Sequence, residues 1–403
     1  MVKREAEKLL RSYAKQFRAI AIVGPRQSGK TTLAKMVFPK KPYVSLENPD
    51  ERRLAQEDPR SFLARYKSGC IIDEVQRVPE IFNYLQQILD ESSKDGQFVL
   101  TGSNNFLMQA SITQSLAGRI GFIDLLPLTL NEISATQTSE RVASNNKLKE
   151  SSTPPRYINT DELILSGCYP EIYDKNRDPR IWYPAYIRTY IERDVKQIRN
   201  IESTLHFHRF LKLCAGRCGQ QWSASALSNE CGVDVRTINA WLSVLVSSYI
   251  VFLLPPHYKS FNKRIVKTPK LYFTDTGLAC SLLGIKTASE LSNSHFRGAL
   301  FENFVLGEIN KERTNKGNPF EFYYWRENNG LEVDVLIEKA GEMLPIEIKS
   351  AQTYTDTFIK SIRQYNKLSG QSKGILLYDG QQERTSPEQL AIVNWRKIAG
   401  LLV

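Results

Sequence analysis

Nine residues, Gly24-Pro25-Arg26-Gln27-Ser28-Gly29-Lys30-Thr31-Thr32, constrain the fold of this chain more than any other stretch. They follow a short apolar run, Ala19 to Val23, and lead into a helix-compatible segment, Leu33 to Phe38. Strand, glycine loop and helix in that order, with the spacing G-x-x-x-x-G-K-S/T, build a cradle for phosphate. Glycines at both ends let the loop wind tightly, so that successive backbone N–H groups converge on phosphate oxygens at a helix N-terminus. In such a cradle Lys30 reaches the β- and γ-phosphates of a nucleotide and the Thr31 hydroxyl holds Mg²⁺. An ordinary glycine turn carries the same letters by chance far less often when a strand and a helix flank it, and nucleotide binding by Gly24 to Thr32 is the firm expectation.

A chain of 403 residues has room for two or three domains with cores of their own. Charged residues at 24% and hydrophobic ones at 41% are the proportions of a globular protein that folds in water. The formal net charge is +11, and most of the excess lies before residue 266. Such basicity suits an anionic partner, nucleic acid among them, but is too common to identify one. Cys214 and Cys218 sit one helical turn apart with no His or second Cys pair at zinc spacing, so free thiols are expected there. No secretory apolar region opens the chain, and the longest apolar run, Tyr249 to Leu254, stops at Pro255-Pro256. That run is too short to span a bilayer. A cytoplasmic location without membrane contact is the default expectation.

Residues 1–18 read as an amphipathic helix with Leu9, Leu10, Tyr13 and Phe17 on one side. Tyr43 to Leu46 reads as a second strand. Cys70-Ile71-Ile72-Asp73-Glu74 is a short buried strand ending in two acids. In a parallel α/β sheet ligands collect at the C-terminal strand ends. Asp73 is then placed to hold the Mg²⁺ shell, and Glu74 to polarise a water against the γ-phosphate as catalytic base. Pro79 opens a helix whose Ile81, Phe82, Leu85, Ile88 and Leu89 follow the 3.6-residue period. Phe98 to Thr101 gives another buried strand, ending in Gly102-Ser103-Asn104. Asn104 there is either a sensor of the γ-phosphate or a turn cap. Arg119, ahead of the strand Ile120 to Leu125, either reaches phosphate or sits on the surface.

Together with Leu126-Pro127-Leu128 and Glu132, these segments resemble the AAA+ ATPases of prokaryotes. Specifically, the chain resembles a large uncharacterised group that carries a C-terminal domain of unknown function with a restriction-endonuclease-like core. The resemblance runs over nearly the whole chain. It implies an α/β P-loop domain, with the acidic strand beside the phosphate-loop strand, and Mg-ATP as the nucleotide. It implies no known substrate.

Residues 135–158 are polar and aperiodic, a linker or insertion after an ATPase core of 1–134. In the helical lid expected at 159–203, Gly167-Cys168-Tyr169-Pro170-Glu171 resembles a Gly-Gly-Tyr-Pro-Glu turn of the family, with Cys168 at the second glycine. A helix from Trp182 to Arg199 carries Tyr186, Ile187, Tyr190, Ile191, Val195 and Ile198 on one stripe. Arg188, Arg193 and Arg199 on its polar face either serve a nucleotide, in cis or in a neighbouring subunit of a homo-oligomer, or are simply solvated. Residues 204–265 have the spacing of a winged helix: Asp234 caps a helix with Ile238, Trp241, Leu242 and Leu245 inward, and a wing starts at Leu253. The outward Arg236, Asn239 and Ser243 are a thin set for reading DNA, and winged helices also serve as packing modules.

The last region, 266–403, begins with a strand from Lys270 and a turn, Thr274-Asp275-Thr276-Gly277. A helix from Gly298 to Asn310 carries Glu302, and strands follow at Phe320 to Arg326, Leu331 to Ile337 and Leu344 to Lys349. Strict alternation puts Leu331, Val333, Val335 and Ile337 on one face and Glu332 and Asp334 on the other. In the next strand Glu347 and Lys349 oppose Ile346 and Ile348. Pairing these strands brings Asp334, Glu347 and Lys349 together, with Glu302 reaching in from the helix. Carboxylates so placed repel unless a divalent cation holds them, which makes Asp334 and Glu347 the expected metal ligands. Lys349 beside them can orient a metal-bound water for attack on a phosphodiester. Glu302, Asp334, Glu347 and Lys349 resemble the PD-(D/E)xK nuclease signature, with Val333 in place of its leading proline. Two functions stay open. The first is an ATP-hydrolysing AAA+ protein acting on nucleic acid, DNA before RNA, with a metal-dependent nuclease-like domain. The second is an ATP-dependent switch or scaffold whose nuclease-like domain binds a partner without cleaving it.

Overall fold

The computed structural model describes residues 2–103, 116–136, 159–191, 204–257, 268–318, 320–327, 330–339 and 341–401. After helix α1 (Glu7–Tyr13) the chain enters β1 (Ala19–Val23), which is buried throughout. The expected helix over 1–18 is shorter because the chain turns after Tyr13, and the Phe17 carbonyl accepts the Gly96 amide at 2.7 Å. β1 is apolar on both faces and must be covered on both. Ala19, Ala21 and Val23 join one apolar layer, Ile20 and Ile22 the other.

Helices α2 (Lys30–Val37), α3 (Pro49–Glu57), α4 (Pro59–Ala64) and α5 (Ile81–Glu91) alternate with β2 (Tyr43–Ser45), β3 (Ile71–Asp73), β4 (Phe98–Gly102) and β5 (Ile120–Asp124). The five strands form one parallel sheet in the order β2-β3-β4-β1-β5. The acidic strand β3 is therefore not beside the phosphate-loop strand: β4, later in sequence, is inserted between them. Crossover helices let a parallel strand land one place further along the sheet, and an apolar strand pattern carries no record of that choice.

The middle region begins with α6 (Thr160–Ser166), α7 (Pro170–Asp174) and α8 (Pro179–Tyr186). α8 starts three residues ahead of the expected helix because Asp178 caps it, accepting the Arg180 amide at 2.9 Å. After Tyr186 the chain passes into a π-helical turn, Ile187–Ile191. Arg188 is exposed, while Arg193 and Arg199 lie outside the described residues. Next come α9 (Thr204–Gly216), α10 (Ala224–Cys231) and α11 (Val235–Ser247), with Asp234 accepting the Thr237 amide at 2.8 Å. Strand β6 (Val251–Leu254) pairs antiparallel with β7 (Lys270–Phe273). A boundary at 266 thus falls between two strands of one sheet. Tyr249, just ahead of β6, donates to Asp124 at the end of β5 at 2.5 Å and ties this region to the first sheet.

Helices α12 (Thr276–Leu283), α13 (Ala288–Ser292) and α14 (Arg297–Asn315) lead into β8 (Glu321–Arg326), β9 (Glu332–Lys339) and β10 (Glu342–Lys349). Helix α15 (Lys360–Ser369), β11 (Ile375–Tyr378), β12 (Arg384–Thr385), β13 (Ala391–Asn394) and α16 (Ile398–Leu401) complete the chain's described part. The six strands run in the order β12-β13-β11-β10-β9-β8, antiparallel from β10 to β8 and parallel from β10 through β11 to β13. One apolar core runs through the middle and C-terminal regions together and takes in Val2, Leu128 and Ile133 of the first.

Strict alternation fails in β9. Trp325 stands opposite Val333 but Tyr323 opposite Leu336, so β9 has one residue more than β8 across this span. Such a bulge inverts the phase of every later side chain. Val333 and Leu336 accordingly share one apolar cluster, while Val335 and Ile337 enter the main core.

Candidate functional site

The phosphate loop links the C-terminal end of β1 to α2. Gly24 has φ +149°, and a Cβ there would lie 2.3 Å from the Leu125 carbonyl oxygen, so the loop can pass β5 only as glycine. Gly29, at φ +91°, turns the chain into α2. The buried Ser28 hydroxyl has no hydrogen-bond partner among the described residues. Lys30 folds back on its own loop, donating to the carbonyls of Gly24 at 3.0 Å and Pro25 at 2.7 Å. To reach a phosphate, its ammonium would have to exchange these carbonyls for phosphate oxygens.

β4 makes the separation of β3 from β1 useful. Its Thr101 hydroxyl donates to Asp73, and Asp73 also accepts from Thr31 at 2.9 Å, so α2, β3 and β4 meet at one carboxylate. Because Thr31 donates its proton to Asp73, its oxygen lone pairs stay available to a cation. The donor set therefore fits Mg²⁺, which Thr31 would ligate directly with Asp73 behind it. Glu74 follows in a left-handed conformation, φ 54° and ψ 43°, rare for a residue with a side chain and a mark of functional sites. Its carboxylate accepts from Gln76 at 2.7 Å and Ser103 at 3.4 Å.

A cavity of about 380 Å³ opens here, lined by Arg26, Gln27, Gly29, Lys30, Thr31, Thr32, Asp73 and Glu74. Gly24, Pro25 and Ser28 of the loop do not line it, and neither does Arg119. Arg119 precedes β5, so it lies at the N-terminal edge of the sheet, the end away from the loop; it ion-pairs with Asp90 of α5. Asn104 lies outside the described residues.

Other lining residues carry no signal in the phosphate-loop motif. Glu171, Asp174 and Lys175, from α7 and just beyond it, face the cavity from the middle region. The turn that presents them is fixed by Asp275, which accepts from the Cys168 amide at 2.6 Å and the Tyr183 hydroxyl at 2.7 Å. A Cβ on Gly167 would lie 2.0 Å from the Tyr183 oxygen, whereas Cys168 has no positive φ and needs no glycine. Arg4, only 6% exposed, donates to the Ser28 carbonyl at 2.7 Å, the Leu126 carbonyl at 2.7 Å and Glu132 at 3.0 Å. An arginine in the opening residues reads as ordinary surface charge until the fold closes over it.

Residues 16–134 match the AAA domain family, and residues 158–289 and 297–398 match two domains of unknown function, DUF8612 and DUF4143. With its phosphate loop and parallel five-stranded sheet, the chain is an AAA-type ATP-binding protein. The uncharacterized protein Rv2008c of Mycobacterium tuberculosis is 30% identical over 366 residues, 90% of this chain and 76% of that protein. The chain belongs to the family of that mycobacterial protein. An uncharacterized protein of Haemophilus influenzae is 24% identical over 368 residues, 86% of this chain and 81% of that one. Among solved structures, the Walker-type ATPase PABY2304 of Pyrococcus abyssi aligns at TM-score 0.46 and 14% identity, over 70% of this chain and 96% of that one. AMPPCP-bound DnaA from Aquifex aeolicus aligns at TM-score 0.29 and 13% identity, over 60% of this chain and 85% of that one. Both scores are too low for anything further to follow from them.

The C-terminal acids form a second cluster. The β9–β10 pairing ends at Val335 and Ile346, and one step beyond it the Asp334 carboxylate accepts the Ile348 amide at 2.8 Å. Lys349 ion-pairs with Glu347 and lies 3.6 Å from Asp334. Burial, then the like charge of Asp334, pushes the Glu347 carboxyl well above its usual range. Burial opposes charge on Lys349, but Asp334 and Glu347 raise its pKa nonetheless. Glu302 approaches from α14, held by the Tyr272 hydroxyl and by Lys270 at 3.5 Å; burial raises its pKa and Lys270 opposes that rise. Lys270, 3% exposed, also ion-pairs with Glu332. Glu347 Oε2 is buried without a hydrogen-bond partner. Among the described residues no group of three or more His, Cys, Asp or Glu is disposed to hold a metal ion. All six cysteines are free and buried, and no described helix is long and apolar enough to cross a membrane.

Proposed function

We propose that this chain hydrolyses ATP at the phosphate loop and carries, in its C-terminal domain, a metal-dependent phosphodiesterase site of nuclease type that acts on nucleic acid, DNA before RNA. In the first site Mg²⁺ would screen the phosphate charge, Thr31 and Asp73 would hold it, Lys30 would engage the β- and γ-phosphates and Glu74 would take a proton from the attacking water. The helices α9 to α11 with β6 and β7 are read as a winged helix between the two sites. Their outward Arg236, Asn239 and Ser243 leave contact with nucleic acid to be tested.

The nuclease reading is carried by Glu347. A buried carboxylate oxygen with no donor, beside Asp334 and Lys349, is costly as it stands and is relieved by a cation. Asp334 and Glu347 would hold that cation, and Lys349 would orient the attacking water. The decisive experiment incubates the full chain with single- and double-stranded DNA and RNA, with and without Mg²⁺ or Mn²⁺ and with and without ATP. Cation-dependent cleavage that disappears in Asp334→Asn is the expected result, and its absence on every substrate would sink the nuclease reading. A switch or scaffold that binds without cutting is the second reading. It is favoured by the lysines, since Lys349 already pairs with Glu347 and lies 3.6 Å from Asp334, while Lys270 lies 3.5 Å from Glu302.

A further inference from the structure

Hydroxyl groups from three elements converge on the carboxylate of Asp73. Thr31 of α2 and Thr101 of β4 donate to Oδ1, and Tyr43 of β2 donates to Oδ2 at 2.9 Å. The first two stand where the phosphate loop and its neighbouring strand put them. The third comes from the edge strand of the sheet, and nothing in the loop motif or in the acidic strand requires it.

Tyr43 is held from its other side as well. The Lys35 ammonium lies 3.3 Å from the centroid of its ring. Lys35 follows Thr31 by four residues, so both occupy one face of α2. Thr31, Asp73, Tyr43 and Lys35 thus close a ring of side chains between α2 and the strands β2 and β3. The helix that starts at the phosphate loop touches the acid directly through Thr31 and again through the tyrosine.

We propose that Tyr43 is a positioning residue of the nucleotide site: it fixes the plane of the Asp73 carboxylate, so that Asp73 meets the hydration shell of the nucleotide-bound cation in one orientation. This rests on the Mg-ATP reading of the loop. A carboxylate torsion is otherwise broad and roughly two-fold. With Oδ2 pinned by Tyr43, Oδ1 keeps a constant bearing on the Thr31 oxygen.

Tyr43→Phe keeps the ring over Lys35 and removes only the donor. Mn²⁺ is titrated into the full chain with AMP-PNP, free Mn²⁺ being read by electron paramagnetic resonance, and AMP-PNP affinity is measured separately in EDTA by calorimetry. The expected result is Mn²⁺ binding weakened about tenfold in Tyr43→Phe, the size of one lost hydrogen bond to a charged group, with affinity in EDTA unchanged. Equal Mn²⁺ affinity in variant and parent would overturn the proposal. So would an equal loss with and without the cation, which marks a purely structural role. A parent chain that binds no AMP-PNP under either condition overturns the Mg-ATP reading as well, so the two failures are distinguishable.

Discussion

Lys30 and Glu74 line one cavity in different proposed roles, and single substitutions separate them. Lys30→Ala removes the ammonium that would exchange loop carbonyls for phosphate oxygens, so nucleotide affinity should fall at least tenfold by calorimetry. Unchanged affinity would remove the loop from the binding site. Glu74→Gln keeps shape and the contacts with Gln76 and Ser103 but loses the base. It should bind ATP normally and turn it over about 10²-fold more slowly or worse. Parental steady-state turnover in that variant would make Glu74 structural. Asp124 gives a third test, of stability. Burial raises its carboxyl above the ordinary 3.8, so the folded chain keeps that proton to higher pH than the unfolded one. Stability is lost as pH climbs from about 4 through the raised value. Asp124→Asn should match or exceed the parent in denaturant midpoint at pH 8 and show a flatter pH dependence. A variant much weaker at pH 8 would mean that the charge itself is needed by Tyr249.

At the scale of elements, the sequence made legible whatever rested on local chemistry. Gly24 to Thr32 announces a loop because glycine spacing and a flanking strand suffice, and β9 and β10 were legible as strands, although β9 runs on to Lys339 rather than Ile337 and β10 begins at Glu342 rather than Leu344. Strand order was not legible: β4 separates β3 from β1, and nothing in Phe98 to Gly102 states its neighbours. The bulge in β9 was hidden too, because Val333 and Val335 are equally apolar although they serve different cores. Asp334 still reaches Glu347 because the bulge lies at the end of the pairing with β10. Arg4 and the hold of Asp275 on Cys168 were missed for a related reason, since these partners are more than 20 residues away in sequence. Long-range polar contacts leave no periodic trace. The acidic cluster offers the test at this scale. Asp334→Asn relieves repulsion and removes a ligand, so the variant should melt no lower than the parent without added cation and gain less from Mn²⁺. An equal Mn²⁺-induced shift in both, with nucleotide absent, would exclude Asp334 as a ligand.

For the whole molecule, the three matched regions behave less like beads than their boundaries suggest. Helix α14 is fastened at each end. Arg297 near its start joins Asp161 at 2.9 Å and Asp379 at 3.1 Å. Towards its other end Glu308 accepts the Leu130 amide at 2.8 Å and Lys311 donates to the Leu128 carbonyl at 2.9 Å. Those two residues follow the segment whose Leu126 carbonyl Arg4 binds while it grips Ser28 of the phosphate loop. Glu302 sits between the fastenings, on the same 19-residue helix. A helix of that length is a strut of about 28 Å, stiff along its axis. Any displacement of Leu128 to Leu130 must therefore either carry Glu302 with it or break both contacts, and small shifts in packed elements are not absorbed continuously. Bound AMP-PNP should then slow backbone amide exchange within α14, far from any phosphate; exchange there indifferent to nucleotide would mean that the strut stands idle between two independent machines.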